Sequence, residues 1–243
     1  MEDDNIPMYF EPPRLKVATF NLFGDTPDAT EEISKEMVAN KVDVVAIQGV
    51  TKLNCDILLR TFRSHGYTYA RFDSISALKN REEFEMIFSK LPILKKEFEL
   101  FVALGDGPGR GISKYLVTVG ADKDEPQNVW IATSQFEPEG SGGGLRRTQI
   151  KELDNHLSSL NIGAGVIFAG DTSIPKWQES SLGVPEGWFD AWREKGTVKN
   201  ERTNDEDRMD QIWWRSNDKG GNIKCIEFDL ICRNGVYGIF EIL

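Results

Sequence analysis

The residues able to do chemistry in this chain are few. VIFAGDTS (166–173) is a run of bulky residues that ends on Gly170 and Asp171. A carboxylate at the end of a buried strand suits Mg²⁺, a hard cation that takes oxygen ligands. Any histidine general base must be His65 or His156, because the chain has two histidines. His65 follows a helical stretch in RSHGY, next to a helix end. His156 lies beside the apolar stripe of the helix expected over 145–160. Neither falls at a strand end beside Asp171. Cys55, Cys225 and Cys232 are sparse and lack CxxC spacing, which reads as reduced thiols of a cytosolic or nuclear protein rather than a disulfide framework or metal site.

The elements that must position Asp171 alternate strands with a few helices. LKVATFNLFG (15–24) reads as a buried strand opening into a turn. Asp28 with Glu31 three residues on fits a capping box, and Ile33, Met37 and Val38 follow at helical spacing to about Lys41. VDVVAIQGV (42–50) is a second buried strand, rich in β-branched residues. Residues 51–64 read as a helix that stops near Gly66. YTYARFD, FEMIFSK, FELFVAL, SKYLVTVG and VWIATSQFE are strand candidates with turn residues between them. GSGGG (140–144) precedes the helix carrying Leu145, Ile150, Leu153, Leu157 and Leu160. After VIFAGD, residues 172–207 read as loop and short helix, and MDQIWWR, KCIEFDLI and VYGIFEIL as closing strands. This order predicts an α/β (α+β) sandwich, two packed sheets with helices outside. Residues 1–13, ended by Pro12 and Pro13, read as a flexible arm, and 14–243 as one domain.

Composition narrows the function classes. The 243 residues can bury one large core. The apolar runs are too short to span a membrane, and the acidic start lacks a secretory pattern, so the expectation is a cytoplasmic or nuclear protein without a membrane partner. The formal net charge of −10 opposes binding to a nucleic-acid backbone, which depends on Lys and Arg displacing counterions. Weak, salt-dependent binding to plain duplex is expected.

In order along the chain, LKVATFN, VDVVAIQGV, VWIATSQFE, RRTQIKEL, VIFAGDTS, RMDQIWWR and GVYGIFEIL resemble the endonuclease/exonuclease/phosphatase (DNase I-like) superfamily over roughly 14–243. Within it, FAGDTS and RMDQIWWR with WFDAW between them are most similar to the tyrosyl-DNA phosphodiesterase 2 group. The resemblance implies a four-layer sandwich, two mixed β-sheets flanked by helices. It also implies roles. Asn21 matches the Asn after the first strand, which helps hold a phosphate oxygen or the nucleophile. Asp171 matches the Asp that orients the attacking water, and Asp210 the Asp near the third-last strand. Arg147 and Gln149 match positions where the family carries phosphate contacts.

Other family positions hold different residues. QEV reads QGV, so the metal-binding Glu is Gly49. TSHL reads TSQF, so a phosphate-contacting His is Gln135. GDxN reads GDTS, which puts Ser173 in place of Asn. The closing SDH reads Asn234-Gly235-Val236, which removes an Asp and a His. Gly49 supplies no side-chain oxygen, and Mg²⁺ demands tight octahedral geometry. Val236 neither donates to a phosphoryl oxygen nor accepts a proton; a general acid–base group alone contributes about 10²–10⁴-fold. The expectation is a catalytically degenerate member of the fold that needs no cofactor and acts by binding a protein, a nucleic-acid end or a phosphorylated ligand. The alternative is a weak or altered Mg²⁺-dependent phosphodiesterase acting on DNA or RNA ends.

The remaining features have plain readings. GDGPGRG (105–111) lacks the Lys-Ser/Thr and helix of a phosphate loop and reads as a strand connection. Lys90 reads as a solvated strand end and ERTNDEDR (201–208) as a solvated loop. Trp188, Trp192, Trp213 and Trp214 form an aromatic set. Neighbouring Trp213 and Trp214 point to opposite faces of a strand, so one is expected in the core and the other on a surface that a partner could use.

Overall fold

The structure, a computed structural model, describes residues 11–22, 25–70, 83–102, 110–121, 125–138, 143–197, 209–217, 222–231 and 235–243. The stretch 201–208, Cys232, Asn234, most of the arm and most of GDGPGRG lie outside the described residues. In chain order the elements are β1 (Arg14–Asn21), α1 (Pro27–Ala39), β2 (Val44–Thr51), α2 (Lys52–Ser64), β3 (Thr68–Ala70), β4 (Glu83–Ser89), β5 (Ile93–Leu100), β6 (Gly111–Val119), β7 (Gln127–Thr133), α3 (Gly143–Ser158), β8 (Gly165–Asp171), α4 (Lys176–Leu182), β9 (Phe189–Asp190), α5 (Ala191–Lys195), β10 (Asp210–Ser216), β11 (Ile223–Ile231) and β12 (Gly235–Ile242). They build two six-stranded sheets. One runs β11-β12-β1-β2-β4-β3 and the other β5-β6-β7-β8-β10-β9. Each has one parallel pair, β1 with β2 and β7 with β8, bridged by α1 and α3 respectively. No described helix is long and apolar enough to cross a membrane.

Three apolar clusters make the layers. Val17, Val44, Tyr115, Ile131, Ile167 and Phe240 fill the space between the sheets. Ile33 and Met37 of α1, with Leu58 and Phe62 of α2, cover the outer face of the first sheet through Phe20, Val45 and Ile47. Ile150, Leu153 and Leu157 of α3 cover the outer face of the second through Trp130, Phe168 and Trp213. Strands covered on both faces need no polar alternation, which is why β2 and β8 read as continuous apolar runs.

Local differences from the sequence expectations have simple causes. The cap of α1 is Thr26, whose side chain accepts from Ala29 N at 3.3 Å, and not Asp28. Pro27 lacks an N–H and has a helical φ, so it takes the first helical position and pushes the cap one residue back. Trp213 and Trp214 do face opposite ways, yet both are buried. Trp213 packs under α3, and Trp214 packs between the sheets with Phe189 stacked on it. The expected exposed indole is absent because both faces of β10 are covered. Lys90 is exposed, over the Tyr67 ring.

Strand direction gathers the functional positions at one end of the sandwich. The parallel pairs bring the C-termini of β1 and β2, and of β7 and β8, to that end. β10 and β12 run antiparallel to their neighbours and present their N-termini there, with Asp210 opposite Asp171 and Val236 opposite Thr19.

Candidate functional site

Asp171 is the centre of the site. It is held in the sheet beyond the end of β7: Asp171 N donates to Ser134 O at 3.1 Å, and Phe136 N donates to Asp171 O at 2.9 Å. Gln135 forms a parallel bridge to it. Its carboxylate accepts three hydrogen bonds. Asn21 Nδ2 donates to Oδ2 at 2.5 Å, while Ser173 N and Oγ donate to Oδ1 at 2.7 and 3.1 Å. The Asn21 bond crosses from one sheet to the other. Gln48 Nε2 makes a second crossing, donating to Thr133 Oγ1 at 2.7 Å and to Thr19 Oγ1 at 3.0 Å. These bonds brace the two sheets at the end where the site lies.

Asp171 and Asp210 are 5 % and 4 % exposed. Burial raises the Asp171 pKa, opposed by the Ser173 and Asn21 hydrogen bonds and the charge of Arg110. Burial raises the Asp210 pKa well above the usual carboxylate range, and the neighbouring Asp171 charge raises it further. The three donors favour charge on Asp171, so Asp210 is the member that keeps the proton. Arg110 is the cation whose field reaches Asp171. Its Nε pairs with Glu137 Oε1 at 3.3 Å and its Nη1 donates to Gln135 O at 3.2 Å.

Asn21, Asp171, Asp210, Gln135 and Ser173 thus come together. Neither Arg147 nor Gln149 makes a hydrogen bond to any of these five among the described residues. Arg147 is exposed on α3, and Gln149 Oε1 accepts from Glu137 N at 3.1 Å. It is Arg146 that is fully buried. It donates to Gln178 Oε1 through Nε and Nη2 at 3.2 and 2.7 Å, and through Nη1 to Glu137 O and Pro138 O at 3.3 and 3.0 Å. Both buried side chains pin the chain leaving β7 to α3, and Arg146 also holds α4.

The backbone also constrains the positions where the resemblance implies other residues. Gly49 lies in a β-bulge facing β4, at φ +64°, where any side chain is strained. A Cβ on Gly235 would stand 2.8 Å from Phe20 Cδ2 and 3.0 Å from the carbonyl oxygens of Ile231 and Thr19. Val236 is fully buried between the sheets. Ser173 keeps a left-handed φ of +47°, a conformation that Asn tolerates better than Ser. Mg²⁺ does not fit this donor set. Gly49 offers no side-chain oxygen, which leaves the facing carboxylates of Asp171 and Asp210 for a cation that demands octahedral oxygen geometry. Among the described residues no three His, Cys, Asp or Glu side chains converge as a metal site.

Sequence reasoning passed over Arg110, Gln48, Thr19 and Thr133. Gln48 and Thr133 were legible as polar residues inside apolar strand runs, and Arg110 sits in a Gly-rich stretch that reads as a connection.

No family model and no curated protein matches the sequence. Solved structures do match in shape. Zebrafish (D. rerio) TDP2 complexed with a single-strand DNA product aligns at 19 % identity and TM-score 0.76, over 94 % of this chain and 99 % of that one. An endonuclease/exonuclease/phosphatase family protein from Bacteroides thetaiotaomicron aligns at 15 % identity and TM-score 0.73, over 95 % and 96 %. The human Nocturnin catalytic domain with a bound sulfate anion aligns at 14 % and TM-score 0.70, over 95 % and 94 %. At such low identities the likeness establishes architecture: the chain has the DNase I-like endonuclease/exonuclease/phosphatase fold.

Proposed function

We propose that this chain is a non-catalytic protein of the DNase I-like fold that acts by binding, with the former catalytic residues bracing the two sheets. The observation that carries the reading is the backbone at 49 and 235. A side chain at Gly49 is strained by φ +64°, and one at Gly235 overlaps the Phe20 ring and presses tightly on two carbonyl oxygens. The main chain has settled into shapes that suit the absence of a metal-binding Glu and of the Asp before the His position. Reactivation therefore needs backbone movement as well as new side chains. Asn21 and Asp171 have a role without chemistry, because their hydrogen bond joins β1 to β8 across the sandwich.

The class of partner follows from what the site has left. Gln149 and buried Arg146 hold backbone and side chains of the fold, and Arg110 is paired with Glu137. With a net charge of −10, these features favour a protein partner over a bare nucleic-acid backbone. Calorimetric titration with Mn²⁺ and Mg²⁺ tests the reading. It expects no saturable heat up to millimolar cation. A site of micromolar affinity that disappears in Asp171→Asn would replace this reading by a metal-dependent phosphodiesterase.

A further inference from the structure

At the end of the second sheet remote from Asp171, a cavity of about 170 Å³ opens between the C-terminus of α3, the start of β8 and the end of β10. Its polar lining is Ser158, Asn161, Arg215, Ser216 and Asn217, with Leu160 on the apolar side. Arg215 is half-buried and held in place from two directions. Its Nη1 donates to Ser158 Oγ, and its guanidinium carbon lies 5.8 Å from the centre of the Trp188 ring. Those two supports are themselves fixed by Asp154, whose Oδ1 accepts from Ser158 Oγ at 2.7 Å and from Trp188 Nε1 at 2.9 Å.

Arg215 enters no ion pair among the described residues. In a chain of 39 acidic and 29 basic residues, a half-buried guanidinium with no direct carboxylate partner among the described residues, and Asp154 reached only through Ser158 Oγ, runs against the composition. Arginine carries five N–H donors in a rigid fork, and the bond to Ser158 uses one. The size of the cavity restricts the ligand. A single water needs only about 10–15 Å³ of such space, while pockets for drug-sized ligands run to about 300–1,000 Å³. The space suits one compact group. Carbonyl groups at the C-terminus of α3 place partial negative charge nearby, so diffuse attraction is insufficient, and an anion has to meet the guanidinium fork directly.

We propose that this cavity binds a compact oxyanion, a carboxylate or phosphate group, on the fork of Arg215. The test titrates the full chain with sodium phosphate, sodium acetate and sodium chloride at matched ionic strength, following heat and the ¹⁵N-labelled indole N–H resonances. Saturable binding of phosphate or acetate at about millimolar affinity or tighter, with none for chloride, is expected, and the preferred anion identifies the source. The Trp188 indole signal shifts with the same curve, because its ring lies against Arg215. Arg215→Gln weakens binding at least about tenfold, and Arg215→Lys does not restore it, since an ammonium lacks the fork. The Trp188 readout needs no variant and holds even if a substitution harms folding. No saturation up to about 50 mM, equal binding of chloride, full binding in Arg215→Gln, or a static Trp188 signal would each overturn the proposal.

Discussion

Replacing Asp210 by Asn tests how the two buried carboxyl groups share the site. Asp210 opens β10 directly across from Asp171 in the β8–β10 ladder. Three hydrogen bonds stabilise charge on Asp171, whereas burial and the Asp171 charge both raise the Asp210 pKa. In the unfolded chain an Asp titrates near about 3.9. Between that value and the raised folded pKa, the native state binds the proton that the unfolded state has released, so stability falls as pH rises through this window. Each unit of separation between the two pKa values contributes about 1.4 kcal/mol, and the loss stops growing above the folded pKa. Asp171, also raised, adds to the slope in the same direction. Asn keeps the shape of Asp210 without its titration. Asp210→Asn is therefore expected to be more stable than the natural chain near neutral pH, by about 1.4 kcal/mol for each pH unit between the unfolded Asp pKa and the lower of the folded pKa and the working pH. The gain shrinks as pH falls toward the unfolded Asp range. Urea unfolding followed by circular dichroism across that range measures it, with equal slopes required before midpoints are compared. A variant less stable at neutral pH, or a difference that does not change with pH, would refute the shared-proton account.

Arg146→Met leaves the carbonyls of Glu137 and Pro138 and the Gln178 amide without their buried donor. It should cost about 1–3 kcal/mol for each acceptor left unsatisfied and lower the melting temperature by several degrees, whereas Arg147→Ala, on the exposed face of α3, stays within about 0.5 kcal/mol of the natural chain. Gly49→Ala should cost about 1–2 kcal/mol from its left-handed φ, and Gly235→Ala about 1–3 kcal/mol from overpacking against Phe20 and two carbonyls; neutral outcomes in denaturant titrations would remove the argument that the backbone has adapted. Fluorescence anisotropy with a plain duplex should show only weak binding that weakens further with salt, and tight binding at physiological ionic strength would point to a basic surface not evident from the charge balance.

Much of the architecture was legible because the strands are unusually plain. AIQGV and VIFAGD read as buried strands from their apolar runs, and ordered motifs pointed to the DNase I-like sandwich that the structure has. The placement of Asn21, Asp171 and Asp210 at one end followed from the same order. What was hidden depends on three-dimensional pairing. Nothing local distinguishes Arg146 from Arg147, and only the packing of α3 against α4 decides which is buried. The exposed indole expected on β10 failed because periodicity assigns faces but does not say that both will be covered. Gly49 and Gly235 were visible as missing side chains. That a side chain at either position is strained or tightly packed is a matter of φ and of contacts between distant strands, which spacing along the chain does not encode.

The most direct test of the account is hydrolysis by the natural chain, set beside Asp171→Asn, of 5′-tyrosyl DNA, abasic-site DNA and inositol phosphates with Mg²⁺ or Mn²⁺. The account predicts no turnover above the no-protein background for any substrate, and no difference between the two proteins. Cleavage of any of these phosphodiesters or phosphate esters by the natural chain, abolished in Asp171→Asn, would contradict it and make Asp171 a working catalytic residue.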